Sequence, residues 1–137
     1  MSARLIGLLM AAGLPMWSMA ASAADQAEWM QRGQAVYERC QACHAIEQHR
    51  TGPAHCGLFG RKAGSAPGFE GYSAAMRQSG WVWTPATLDR FLKAPMQAMP
   101  GTSMGYAGVK DDGDRAALIA WLRLATQPGR SCQLPQP

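Results

Sequence analysis

The stretch Cys40-Gln41-Ala42-Cys43-His44 decides the reading of this chain. Two thiols separated by two residues, with an imidazole beside the second, can serve one group together. The thiols add to the two vinyl groups of a porphyrin as thioethers, and the imidazole nitrogen reaches the iron from the same side. Composition alone would produce such a string about 0.002 times in a chain of this kind. Other uses of these residues compete. A dithiol redox pair wants a strand before the first cysteine, whereas helical spacing precedes this one. A zinc site could draw on Cys40, Cys43, His49 and Cys56, but zinc leaves the downstream sequence without a purpose. A disulfide between Cys40 and Cys43 would strain so short a loop. One covalently attached haem c is the expected cofactor.

Upstream of the motif, Trp29, Gly33, Val36, Tyr37 and Cys40 share one face of a helix expected over about 25–40. Asp25 and Glu28 suit the positive end of its dipole. Further back, residues 1–24 carry one early cation (Arg4), an apolar stretch over 5–13 and the small-residue site Ala21-Ser22-Ala23. This is the layout of a secretory signal peptide. Pro15, Ser18 and the Ala-rich exit argue against a spanning helix, which needs about 20 apolar residues. The expected division is a leader over 1–23, removed on export, and one monohaem domain over 24–137 with a short tail from about 127. Export leads to an oxidising compartment. Cys56 and Cys132, outside the motif, are therefore expected to pair, the alternative being two free thiols.

Downstream, residues 51–80 are rich in glycine and poor in long apolar runs, so they should be mostly loop, with one short helix near 73–78. Thr84-Pro85 opens a second helix through Leu88, Phe91 and Leu92. Pro95 breaks it, and residues 96–99 can form one more turn. A last helix starts near Asp111 or Asp112, presents Leu118, Trp121, Leu122 and Ala125 on one face, and stops at Pro128-Gly129. No segment alternates strictly over a strand length. A loop of about thirty residues in so small a domain needs something to pack against, and a large cofactor meets that need.

The 137 residues allow one ordinary domain. With 47% hydrophobic and 16% charged residues the chain is globular. No phosphate-binding glycine loop and no internal repeat is present. The net charge of +4 is too mild for nucleic-acid binding, which calls for a concentrated basic stripe.

Read together, these motifs make the chain resemble the class I cytochromes c, particularly bacterial forms close to mitochondrial cytochrome c and cytochrome c2. The resemblance covers about 27–126. It is carried by Gly33-Gln34-Ala35-Val36-Tyr37 before the Cys-x-x-Cys-His motif, and by Thr51-Gly52-Pro53 and Gly57-Leu58-Phe59-Gly60-Arg61-Lys62 after it. Gly68-Phe69 through Tyr72, then Gly80 and Trp83, Pro100-Gly101-Thr102-Ser103-Met104, and Leu118-Ile119-Ala120-Trp121-Leu122 follow in order. The resemblance implies an all-α class I cytochrome c fold. Its terminal helices cross, and short helices and long loops wrap one haem. It implies that Cys40 and Cys43 hold the haem and that His44 and Met104 ligate the iron, Met99 being the rival methionine. Pro53 would accept from the second nitrogen of His44. Tyr72 and Trp83 would donate to a propionate, with Arg61 nearby. Three departures stand out: Phe91 where tyrosine is common, His55 where an apolar residue is usual, and a loop over 68–72 one residue longer than in many relatives. His55 is read as a structural or surface histidine, turned outward or hydrogen-bonded.

The expected function is that of a soluble, periplasmic, monomeric single-electron carrier, not an enzyme. It would shuttle between redox partner proteins: an exported dehydrogenase, a membrane oxidoreductase or a terminal oxidase. It would meet the membrane only through such partners. Arg61, Lys62 and Lys93 are candidates for salt-sensitive docking. A dedicated haem subunit or acceptor of one dehydrogenase is the alternative. A haem sensor or small peroxidase would need an open sixth position.

Overall fold

A computed structural model of the chain describes residues 17–129 and Cys132, with side chains from Ser22 onward. Five α-helices appear in order: α1 (Trp17–Tyr37), α2 (Ala74–Gln78), α3 (Pro85–Lys93), α4 (Pro95–Ala98) and α5 (Asp112–Ala125). A 3-10 turn, Glu38–Cys40, carries α1 into the Cys-x-x-Cys-His motif. Among the described residues there is no strand. Two isolated bridges, Lys62 with Val82 and Pro128 with Cys132, are all the sheet-like pairing.

The local chemistry explains the boundaries. Ser73 caps α2 by accepting from the Met76 amide at 3.1 Å. Thr84 and Thr87 cap α3 reciprocally, with Pro85 at its first position. Asp111 caps α5 by accepting from the Asp114 amide at 2.7 Å. The first helix differs from the expectation in two ways. In the full chain it runs on from Trp17 through alanine-rich residues that hold no breaker, whereas the start near Asp25 was expected for the chain without its leader. Asp25 and Glu28 therefore lie inside it. It also gives way to the 3-10 turn at Glu38, before reaching Cys40 as an α-helix. Most of the proposed leader, 1–16, lies outside the described residues, as do positions 130–131 and 133–137 of the tail.

The frame is the crossing of α1 on α5. A Cβ added at Gly33 would collide with the Ala117 carbonyl oxygen and lie 2.7 Å from Trp121 Cβ, so only glycine lets the two backbones meet here. One helical turn on, Tyr37 stacks on Trp121 with ring centroids 4.7 Å apart. Leu118 is fully buried beneath them. Arg32 reinforces the edge of the crossing through Asp111 and Asp114, at 2.9 and 2.8 Å, in an exposed setting where such pairs contribute little.

One feature of α5 escapes periodicity analysis. Arg115 is 3% exposed, although its carboxylate partners lie at the surface. Its Nε donates to Asp89 of α3 at 2.6 Å, and its other nitrogens donate to the Val109 carbonyl at 2.9 Å and to Asp112 at 2.8 Å. A buried guanidinium is tolerable only with its donors paired in this way, and the result ties α3, α5 and the segment between them.

The crossing predicts the outcome of Gly33→Ala. Helix propensity alone would favour alanine by about 1 kcal/mol. Forcing a methyl into the Ala117 carbonyl should cost more, with a net loss of about 1–3 kcal/mol. Denaturant unfolding of the holoprotein measures this, and a stabilised variant would mean that the crossing is loose.

Candidate functional site

The helices and loops enclose a largely apolar cavity of about 360 Å³, within the range of cofactor sites. Its walls come from every part of the chain: Cys40, Cys43 and His44 from the motif, Pro53, His55 and Arg61 from the first loop, Tyr72 from the second, Trp83 and Phe91 before and within α3, and Met104 from the segment before α5. The structure thus brings all nine residues named from sequence for the cofactor to one place.

His44 is fixed by the chain's turn after the motif. Its Nδ1 donates to the Pro53 carbonyl at 2.8 Å. That assigns the proton to Nδ1 and leaves the Nε2 lone pair free for a metal. Gly52 passes so close that an added Cβ would strike the imidazole, with both ring nitrogens at 2.7 Å. Burial lowers the pKa of His44 against the raising effect of the Pro53 bond.

Of the two motif cysteines, Cys43 is exposed and Cys40 half-buried. Burial, aided by Cys43 and opposed by Arg39, pushes the Cys40 thiol up to about 11. A reactive dithiol needs the opposite shift, so the thioredoxin-like use is disfavoured. The zinc alternative fails on geometry. Among the described residues no three His, Cys, Asp or Glu side chains gather around a point. His49 is spent elsewhere: it donates from Nε2 to the Pro67 carbonyl at 2.8 Å and accepts at Nδ1 from the Ala54 amide at 2.9 Å. Cys56 is bonded to Cys132, Cα atoms 5.3 Å apart.

Two methionines of the described chain line the cavity, Met76 from α2 and Met104. Met104 is half-buried in an extended segment whose turn is held by Thr102, its amide donating to the Thr102 hydroxyl at 3.3 Å. Met99, 5% exposed, packs in the core and does not line the cavity.

Arg61 is the most telling polar residue. It donates to the Cys56 carbonyl at 2.7 Å and to the Ala54 carbonyl at 3.3 Å. Its Nε is buried without any partner among the described residues. A buried donor left over at a cavity wall fits a site that receives an anionic group. Tyr72 accepts from the Ala66 amide at 3.1 Å, which leaves its own proton for such a group. Trp83 and Phe91 are buried, with ring centroids 5.2 Å apart. His55 is not turned outward. It is half-buried on the cavity wall, 3.2 Å from the Tyr37 hydroxyl at Nδ1.

A pair of thiols, an imidazole with a free nitrogen, a thioether and an orphaned guanidinium donor around one apolar space fit a covalently bound haem. Comparison with known proteins agrees. The chain is 40% identical over 128 residues to cytochrome c2 of Rhodomicrobium vannielii, covering 91% of this chain and 98% of that protein. The chain belongs to the class I cytochromes c. Cytochrome c2 of Afifella marina is 42% identical over 97 residues, covering 66% of this chain and 77% of the other. Among solved structures, cytochrome cH from Methylobacterium extorquens superposes with a TM-score of 0.67 at 33% identity, covering 69% of this chain and 97% of that one. No family model matches the chain. As a member of this family it carries one covalently attached haem c, exchanges electrons with redox partners and is not an enzyme.

Removing the charge of Arg61 should lower the reduction potential. A cation beside the cavity favours the reduced, less positive state of the site, so Arg61→Met shifts the balance toward the oxidised form. Potentiometric titration of the holoprotein checks this, and an unchanged or higher potential would mean that the guanidinium is neutralised in place.

Proposed function

We propose that this cytochrome is a soluble periplasmic shuttle whose haem is held through Cys40 and Cys43 and ligated by His44 and Met104. The observation that carries the reading is the gathering of these four side chains on one cavity, with His44 already holding its proton on the far nitrogen.

When bound, haem supplies a one-electron ferric/ferrous couple. The chain's residues do the rest. Pro53 holds His44 in the tautomer that leaves Nε2 basic. Met104 offers a soft thioether, which favours a high potential. Phe91, 3% exposed, gives the cavity a wall without a hydroxyl donor. Leu58, Leu88, Leu118 and Leu122 exclude water from the cavity, so little solvent must reorganise when charge changes. Arg61 and the Tyr72 hydroxyl would receive the propionate end.

Of the three cations named from sequence as docking candidates, none stands free at the cavity mouth. Arg61 faces the cavity and grips two carbonyls, so it is not a surface charge. Lys93 sits 3.9 Å from Asp112, and neither Lys62 nor Lys93 lines the cavity. The exposed cation that does line it is Arg39, itself 3.7 Å from Asp114. Contact through small neutral rim residues such as Ala42, Thr51 and Ser103 suits a carrier that must release its partner. Isolation of a tight complex with one dehydrogenase would replace the shuttle by a dedicated subunit.

Export is supported by the signal-like layout of 1–24 and is consistent with the absence, among the described residues, of any helix long and apolar enough to cross a membrane. Removal of 1–23 would place Asp25 and Glu28 in the first turn of α1, where their negative charge meets the positive end of the helix dipole. The bond between Cys56 and Cys132 would then form in an oxidising compartment, closing a loop with a separation of 76 residues. Chain entropy gives such a closure up to about 4.5 kcal/mol.

Two measurements test these assignments. In the ferric protein, Met104→Ala should abolish the weak far-red thioether-to-iron band and give high-spin features. Met99→Ala should keep the band and lose about 2–5 kcal/mol of stability as a core truncation. The reverse pattern would move the ligand to Met99. Intact-mass analysis of the native protein should show haem attached to residues 24–137 and no alkylatable thiol until reductant is added. A mass including the leader, or free thiols before reduction, would overturn the corresponding part.

A further inference from the structure

The histidine torsion that sets the plane of an imidazole is broad, and a single hydrogen bond lets the ring rock about the bond. The Pro53 carbonyl therefore fixes the proton on His44 without fixing its plane. The missing constraint is on the other side of the ring. The His55 imidazole stacks on that of His44, centroids 4.4 Å apart and planes 23° from parallel.

His55 is itself held. Its backbone amide donates to the Ala45 carbonyl at 3.0 Å, and the next amide, of Cys56, donates to Ile46 at 2.8 Å. Arg61 grips the carbonyls on both sides, those of Ala54 and Cys56. The ring plane is fixed by Tyr37, whose hydroxyl lies 3.2 Å from Nδ1, with ring centroids 5.8 Å apart at 61°. Tyr37 is 2% exposed and packed on Trp121, and its hydroxyl has no other partner among the described residues. Donation to Nδ1 is the arrangement that uses its proton. Burial pushes the pKa of Tyr37 up, so the phenol keeps that proton.

We propose that His55 is a positioning residue for His44: the Tyr37 hydroxyl holds the His55 ring, and the flat face of that ring sets the plane of the His44 imidazole. A rounded aliphatic side chain at position 55 would fill the same space without dictating an angle. The constraint runs from the α1–α5 crossing, through Tyr37 and His55, to His44. The proposal rests on the reading of His44 as the iron ligand.

The test compares ferric holoprotein of the wild type with His55→Leu, Tyr37→Phe and His55→Phe. The readouts are the principal g values in electron paramagnetic resonance and the spread of the haem methyl resonances. Both report the angle of the ligand plane, which a merely structural role would not move. His55→Leu and Tyr37→Phe should both shift the largest g value and the methyl spread while the far-red band persists. His55→Phe, which keeps a flat ring but cannot accept the Tyr37 bond, should shift in the same sense as Tyr37→Phe and less far than His55→Leu. A wild-type pattern in either of the first two variants overturns the proposal. Where His55→Leu does not mature, Tyr37→Phe, which removes a single oxygen, carries the test alone. A wild-type protein lacking the low-spin, methionine-bound signature would overturn the ligand reading instead, and that is seen before any variant is compared.

Discussion

The hydrogen bond from His44 to the Pro53 carbonyl joins the helical entry of the chain to its irregular middle. It decides which nitrogen of His44 is free, and it anchors the loop that must pass beneath the ring. That loop can pass only because Gly52 has no side chain. Beyond it the chain returns in a series of turns tied by His49, Arg61 and Tyr72, each using a side chain to satisfy a backbone group that no sheet or helix satisfies. Such a segment has little apolar area of its own to bury. Its order comes from side chains converging on a common apolar centre, and the fold is the closure of that centre by the crossing of α1 on α5.

Much of this was legible in the sequence because it depends on local chemistry. Thr84-Pro85 was read as a cap and a first-turn proline, and the structure uses it so; Ser73 and Asp111 were read as helix starts, and the structure makes each a cap. That Gly33 and Tyr37 meet Leu118 and Trp121 was legible only through the family resemblance, which implies crossing terminal helices. The cavity residues were legible because ordered motifs along the chain carried a family resemblance; spacing alone would not have brought Trp83 or Phe91 to the same wall as Cys40.

What was not legible is non-local. Arg115 sits at a position where periodicity asks for an apolar residue; only Asp112, one turn earlier, is a local acceptor, and the others are a carboxylate 26 residues away and the carbonyl of Val109. No pattern within α5 announces them. His49 looked like a ligand in a count of metal-binding residue types, and only the turn back to Pro67 shows it to be a staple. Arg61 was assigned both to the cofactor and to surface docking. The fold allows one of these, because its donors are drawn inward by carbonyls that belong to a loop whose path the sequence does not specify.

The link between Cys56 and Cys132 places a sorting demand on the assembly of the molecule. Four cysteines can be joined two by two in three ways, and each of those ways consumes the pair in the Cys-x-x-Cys-His motif. The finished protein requires instead one particular bond and two thiols left for another purpose. Cys132 is the last of the four to be synthesised. During that interval Cys56 stands sixteen and thirteen residues from two thiols it must avoid. Its correct partner arrives with the final turns of the chain, once α5 can lay Thr126 against Gly57 at 2.9 Å and bring the tail to the loop. Correct pairing is therefore a product of tertiary closure, and conditions that oxidise the chain before it closes would trap it in forms unable to accept haem.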